Sequence, residues 1–389
     1  MLVALQSFQA SSDRLDRPYW LNIDCGATSS HQDEINVDLT WETDDEFITT
    51  GDNKFLLDLN TSFVEMKTLR SFPSGTTNCY NLRPLIAQGK YLVRAGFVYG
   101  NYDGLLKPPT FDLQLVGYSN VTVTTSATNN EPIYHEFFIV TKAEVVDVCL
   151  VQTQQGNVPF ISTLEVTFIE DESYTWLTNK TVFYLESRIN YGANQTVPER
   201  FNYSTEVYNR IWKREEVPSY PSISVGHRDP NAWSLGDNSP PYPVLWHAIE
   251  SHNTSESISL KIKFHDKSPL SAYFIFYFSK ILHNFSRPIE SRMVAIYIDG
   301  QEKNITDNIP AYYEIYCLVV PIYPVNVTGG TANVTITAAQ GSTLPPILNA
   351  MEVFSQYDVS KADNYHGRNI TFFGFSFALF FCLVYWLLE

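Results

Sequence analysis

The residues most able to do chemistry are the histidines, the clustered carboxylates and the tyrosines around one turn. His247 and His252 flank Glu250, and His265 precedes Asp266. A zinc site needs three or four converging ligands. These spacings place the side chains on loops or on alternate strand faces, so surface histidines are expected. The acidic runs 44–46 (DDE) and 170–172 (EDE) raise sugar hydrolysis, which needs two opposed carboxylates. Adjacent acids do not supply that opposition, and each run is expected on a solvated loop. The sequence contains no G-x-S-x-G, H-E-x-x-H, Walker or G-x-G-x-x-G motif. Neither catalysis nor a metal or cofactor is the expectation.

Binding is the more natural use of these residues. Tyr and Phe number 24 and 25, and amphipathic rings suit sugar faces and protein interfaces alike. Tyr99 precedes and Tyr102 sits within the turn at 101–104 (NYDG), where a strand leaves a sheet and a loop can present rings. With Asn101 and Asp103 of the same turn they form the candidate ligand-binding set. The competing reading makes Tyr99 core and Tyr102 turn packing. Tyr277 and Phe278 read as core.

The elements that must hold such a loop are announced by a repeat. Residues 159–166 read PFISTLEV and 346–353 read PILNAMEV; upstream, 23–27 read IDCGA and 189–193 read INYGA. The opening phrases are offset by about 166 residues and the closing ones by about 187, right for two copies of one compact domain and too long for a solenoid. Within each copy, short runs rich in β-branched and aromatic residues alternate with Gly, Pro, Asn and Asp clusters. Such runs cover 55–59, 91–99, 111–116, 135–140 and 145–151, then 257–264, 273–278, 293–299 and 332–338. In 145–151, nearly all apolar, Asp147 must face an edge, a partner or water. In PFISTLEV, Leu164 and Val166 share one strand face and Glu165 takes the other. Long helical periodicity is absent. The fold class is therefore all-β, two tandem antiparallel sandwiches. The copies span 19–169 and 185–357, with a short connector at 170–184 that holds them in a fairly fixed relation.

Composition narrows the setting. Hydrophobic residues make up 44% and charged ones 17%, enough apolar side chain for two real cores. A formal charge of −16, with no basic cluster, makes nucleic acid a poor partner. N-x-S/T sequons occur at Asn60, Asn120, Asn179, Asn194, Asn202, Asn253, Asn284, Asn304, Asn326, Asn333 and Asn369. Chance would supply roughly 2 to 4, so a glycosylated chain of the secretory pathway is expected. Cys25, Cys79, Cys149, Cys317 and Cys382 are too few for a disulfide framework. The first four form either two bridges, in any of three connectivities, or buried thiols.

Both ends carry targeting signals. Residues 1–12 read as the remnant of a signal peptide, with an apolar start interrupted at Gln6. Residues 370–388 (ITFFGFSFALFFCLVYWLL) hold no charge and would span about 28 Å as a helix, enough to cross a bilayer core. They are either a transmembrane helix or a lipid-anchor signal. For the second, 358–369 is the polar spacer and Ser360, with Ala362 two positions on, fits the attachment site.

Several of these phrases together resemble the malectin-like ectodomain of plant receptor-like kinases. They are IDCGA, Trp41-x-x-Asp44 within LTWETDDEFITTG, Asn78–Cys79–Tyr80, and YLVRAGFVYGNYDG (91–104). DVCLVQT (147–153) and LPPILNAMEV (344–353) complete the set, and the likeness covers about 19–357. The resemblance implies two malectin folds in tandem. It also implies extracellular recognition of a cell-wall or glycoprotein carbohydrate or a secreted peptide, with a receptor kinase ectodomain as a partner on the same membrane. Animal malectin binds a glucose disaccharide unit with an aromatic cluster, near which Tyr99 and Tyr102 fall, and an aspartate. Asn157 stands where that aspartate is expected, and Leu282 and His283 occupy the region in the second copy, both departures from the animal pattern. The leucine-rich repeats and kinase of the receptors do not follow 344–353. The expectation is a membrane-tethered recognition module at the outer face of the plasma membrane, a co-receptor or truncated receptor form without catalysis. The alternative is a lectin-like protein of the wall or endoplasmic reticulum.

Overall fold

The computed structural model describes residues 20–34, 39–56, 63–127, 131–193, 206–225, 237–279, 281, 290–310 and 317–359. The expected leader, Leu282, His283, Ser360, Cys382 and the 370–388 segment lie outside these residues. Among the described residues no helix is long and apolar enough to cross a membrane.

The first half runs through β1 (Trp20–Asp24), β2 (His31–Gln32), β3 (Thr40–Thr43), β4 (Asp52–Phe55), β5 (Thr68–Ser71) and β6 (Thr77–Leu82). It continues with β7 (Lys90–Phe97), β8 (Thr110–Leu115), β9 (Ser119–Thr124), β10 (Ile133–Val140), β11 (Val146–Val151), β12 (Phe160–Ile161) and β13 (Thr163–Ile169). The second half holds β14 (Thr181–Tyr191), β15 (Lys213–Glu215), β16 (Ser222–Ser224), β17 (His247–Glu250), β18 (Ile258–Lys263) and β19 (Leu270–Phe278). It closes with β20 (Val294–Ile298), β21 (Gln301–Ile305), β22 (Leu318–Val327), β23 (Thr331–Ala338), β24 (Ile347–Leu348) and β25 (Ala350–Asp358). Most expected strands fall on these within two residues. The run at 55–59 does not, because β4 ends at Phe55.

The duplication read from the repeated phrases holds in the order of the paired strands. β1-β13-β7-β10 in the first half corresponds to β14-β25-β19-β22 in the second. The outer sheets β6-β11-β8-β9 and β18-β23-β20-β21 correspond in the same way, as do β12-β5-β4 and β24-β17-β16. Each half is a sandwich of alternating inward apolar residues, such as Val93, Ala95 and Phe97 of β7 or Phe274, Phe276 and Phe278 of β19.

The halves are not separate sandwiches on a tether. β10 pairs with β14, so the two inner sheets fuse into one 11-stranded sheet. The connector expected over 170–184 is correspondingly shorter, since Thr181 already belongs to β14. It is compact because Tyr174 and Leu177 are buried on the shared sheet, in a third apolar cluster with Phe138, Phe183 and Phe354.

Both opening phrases carry, as their fourth residue, a glycine with one structural task. Gly26 (φ +80°) follows β1 and Gly192 (φ +74°) follows β14; an added Cβ would lie 2.2 Å from the Leu69 carbonyl oxygen and 2.4 Å from that of Ala248. Both contacts are backbone, so no side chain can yield. Gly26→Ala and Gly192→Ala are each expected to destabilise the protein by about 2–3 kcal/mol in urea denaturation. Gly300→Ala, at φ +76° with nothing within 4 Å, should cost only about 1 kcal/mol.

Candidate functional site

The turn singled out in the sequence belongs to the loop from 98 to 109, between β7 and β8. Tyr99 is 1% exposed. Its hydroxyl donates to Asp103 Oδ1 at 2.5 Å and accepts the Lys107 N–H at 3.2 Å. Burial and then the Asp103 hydrogen bond push this phenol up to about 12. Asn101 Oδ1 accepts the Leu106 N–H at 2.8 Å, and Asp103 Oδ1 accepts the Leu105 N–H at 3.0 Å. These three side chains spend their polar groups on holding the loop, so Tyr99 follows the core reading and not the ligand-facing one. Tyr102 is half-buried. Its ring packs on Tyr99 and Phe160, with centroids 5.7 and 5.4 Å away.

The loop borders a groove of about 440 Å³ lined by Tyr102, Asp103, Lys107 and Asn157 and by Asp52 and Lys54 of β4. Tyr102, Asp103 and Asn157 of the candidate set thus meet, although 54 or more residues separate Asn157 from the others. Asn157 is anchored, its Nδ2 donating to the Thr110 carbonyl at 3.1 Å. The feature that the sequence reading missed is the loop tip. Leu105 and Leu106 are 69% and 68% exposed, and Leu106 has φ +51°, a conformation rare for a bulky residue. Two adjacent leucines directly after a Gly-containing turn were the available signal.

Three other expectations change. Asp44 is no solvated loop residue: it is fully buried, accepting from Arg70 Nε and Nη2 at 2.6 Å each and from the Tyr80 hydroxyl at 2.8 Å. A carboxylate in the interior requires such partners. The 170–172 run is exposed, as expected. His247 is buried within β17, not on the surface, while His252 is exposed and bonds Glu256. His265 bonds Glu186, and Glu250 accepts from Arg292 Nη2 at 2.6 Å. Among the described residues no three such groups converge as metal ligands. Of the four cysteines here, Cys79 and Cys149 are bridged, and Cys25 and Cys317 are buried thiols. Tyr277 and Phe278 are core.

Of the sequons, Asn179, Asn253, Asn304, Asn326 and Asn333 are exposed and Asn120 is half-buried; Asn60, Asn194, Asn202, Asn284 and Asn369 lie outside the described residues.

A family model for the malectin-like domain matches residues 23–356. The chain belongs to the malectin-like family. Among its relatives in Arabidopsis thaliana, an uncharacterized protein is 33% identical over 342 residues, covering 86% of this chain and 64% of that protein. A leucine-rich repeat receptor-like serine/threonine-protein kinase is 31% identical over 372 residues, covering 93% of this chain and 41% of the kinase. The chain therefore spans less than two thirds of the length of either relative. The crystal structure of the ANX2 ectodomain from Arabidopsis thaliana matches with a TM-score of 0.67 at 14% identity, over 87% of this chain and 97% of that one. A crystal structure of the plant peptide RALF23 in complex with FER and LLG2 matches with a TM-score of 0.64 at 17% identity, over 88% and 96%. At these identities the likeness establishes a shared all-β malectin-like fold.

Proposed function

We propose that this chain is a membrane-tethered extracellular recognition module of the plant cell surface that captures a secreted peptide at its 98–109 loop, without catalysis. The observation that carries the reading is the Leu105–Leu106 tip. Exposed apolar side chains on a loop braced by Tyr99, Asn101 and Asp103 suit burial against a protein partner. Sugar recognition draws on exposed ring faces, and the most buried ring of the candidate set is Tyr99. The formal charge of −16 favours a basic peptide through long-range attraction. A fold shared with a protein crystallised with RALF23 and LLG2 supports a peptide ligand and a second protein as partner. The exposed sequons support a secretory route to the outer face of the plasma membrane.

Calorimetric titration of the glycosylated chain with basic secreted peptides and with neutral wall oligosaccharides tests this. Peptide binding is expected to weaken at least about 10-fold in Leu105→Asp and in Leu106→Asp, which is about 1.4 kcal/mol. Leu106→Gly relieves the left-handed backbone and should keep folding stability within about 1 kcal/mol of the parent while binding still weakens. Unchanged peptide affinity in both aspartate variants would sink the proposal. Oligosaccharide binding that survives them and disappears in Tyr102→Ala would put the lectin reading in its place.

A further inference from the structure

A second concavity, of about 450 Å³, lies between the two halves. It is lined by Gln114, Tyr118 and Asn120 of the β8–β9 hairpin, by His265 of the second half, and by Ser355 and Tyr357 of β25. The lining combines amides, hydroxyls and tyrosine rings with the Asp266 carboxylate and apolar Leu115 and Leu270, a mixture that suits a hydroxyl-rich ligand with apolar ring faces. His265 is held in a fixed orientation, with Nδ1 2.7 Å from Glu186 Oε1 and Nε2 2.9 Å from the Tyr357 hydroxyl. Its ring meets that of Tyr184 edge-on at 4.8 Å. Two hydroxyls of this lining, Ser119 Oγ and Ser355 Oγ, are buried without a hydrogen-bond partner among the described residues. Ser355 is only 2% exposed. Buried polar atoms of this kind call for a partner.

The cleft has a supplier on its own rim. Asn120 opens the sequon Asn120–Val121–Thr122 and borders the concavity, so a glycan on its amide starts at the cleft mouth. We propose that the cleft seats the N-glycan of Asn120, its first two N-acetylglucosamine residues bridging the β8–β9 hairpin to His265 and Tyr357 of the second half. This rests on the secretory reading above. The attachment joins Asn120 Nδ2 to C1 of the first sugar as the C1–O bond to the diphosphate of a lipid-linked oligosaccharide breaks; the diphosphate leaves with the bonding electrons and the amide loses one proton. The cavity volume lies in the range that encloses a ligand of a few rings. The other sequons of the described surface border neither concavity, so Asn120 stands apart from them.

The test uses the full chain secreted from plant cells held at high-mannose glycans. Native and denatured protein are digested with an endoglycosidase that cuts between the two core sugars, and release is followed site by site by glycopeptide mass spectrometry. Trimming at Asn120 should run at least about 10-fold slower than at Asn179 and Asn253 in the native protein and at the same rate after denaturation. Gln114→Ala, on a half-buried strand residue, and His265→Ala should each raise the native rate at Asn120 toward that of Asn179. Occupied Asn179 and Asn253 with a bare Asn120, or an Asn120 glycan trimmed natively as fast as theirs, overturns the proposal and leaves the secretory reading intact. Absence of glycan at every sequon removes the secretory reading and this proposal with it.

Discussion

Arg188→Met is expected to lower folding stability by about 3–5 kcal/mol, because it leaves buried carboxylates without their shared cation. Arg188 is the centre of a row of charges running across the fused sheet. Arg94 of β7 reaches Glu165 of β13 at 2.8 Å and Glu136 of β10 at 2.9 Å. Arg188 of β14 reaches Glu136 at 2.8 Å and Glu352 of β25 at 2.6 Å. All five side chains are at most 3% exposed. The row crosses the β10–β14 junction, so the guanidinium of Arg188 ties a glutamate of each half. Residues 206–212 lie over it: Asn209 donates to Glu165 at 3.1 Å, and Arg210 shares the Tyr174 hydroxyl with Glu352. Equilibrium urea denaturation of the variant against Lys213→Met, an exposed cation of β15, separates loss of this pairing from loss of charge. A difference below about 1 kcal/mol would show that the row relaxes without its central arginine.

The same row sets an acid dependence. Burial alone would raise the Glu136 carboxyl, yet Arg188 and Arg94 hold it down to about 2 from the ordinary 4.5. The stability this contributes is therefore present above pH 4.5 and is lost as pH falls from 4.5 toward 2, by about 3 kcal/mol in full. Asp24 works the other way. Burial raises its carboxyl to about 6 against hydrogen bonds from Thr68 and His31, so the folded form takes up that proton first. Stability is gained there as pH falls from about 6 to 3.8. In Arg188→Met the loss below pH 4.5 should flatten, because Glu136 then keeps only Arg94.

The closing phrases show what was legible in the sequence and what was not. The alternation in PFISTLEV and PILNAMEV correctly puts Leu164 and Val166, or Met351 and Val353, toward the sandwich cores, with Glu165 and Glu352 on the opposite face. By the usual logic a glutamate on the other face of a strand meets water. Here that face is covered by the connector and by 206–212, and the cations come from positions far along the chain. Arg94 lies 71 residues from Glu165, and Arg188 lies 164 from Glu352. Local pattern cannot report a lid that is remote in sequence, and the same limit hid the burial of Asp44 and His247. The candidate site divides likewise. The NYDG turn marked the loop correctly, but which of its side chains brace the turn and which face outward depends on Lys107, Leu105 and Leu106 amides meeting Tyr99, Asp103 and Asn101. That is three-dimensional information.

Cys79→Ser with Cys149→Ser is expected to cost about 4 kcal/mol, and the loss should fall on the first half. The two cysteines oppose one another across β6 and β11, with a sequence separation of 70. Freeing a loop of that length returns about 4 kcal/mol of chain entropy to the unfolded state. Among the described residues the corresponding β18–β23 pair has no bridge; Lys261 lies opposite Asn333 there. Cys25 and Cys317 do not offer a substitute, since burial pushes both thiols well above their ordinary range. Cys79 is exposed, so reductant should reproduce the double variant. The consequence for the whole molecule depends on the charge row. If Arg188 couples the halves, scanning calorimetry of the reduced wild type shows one transition displaced as a unit. Adding Arg188→Met then splits it, with a lower transition in which amides of β6 and β11 exchange before those of β18 and β23. A single transition in the reduced Arg188→Met protein would mean that backbone pairing of β10 with β14 is sufficient to couple the halves, and that the row pins register at the junction without carrying cooperativity across it.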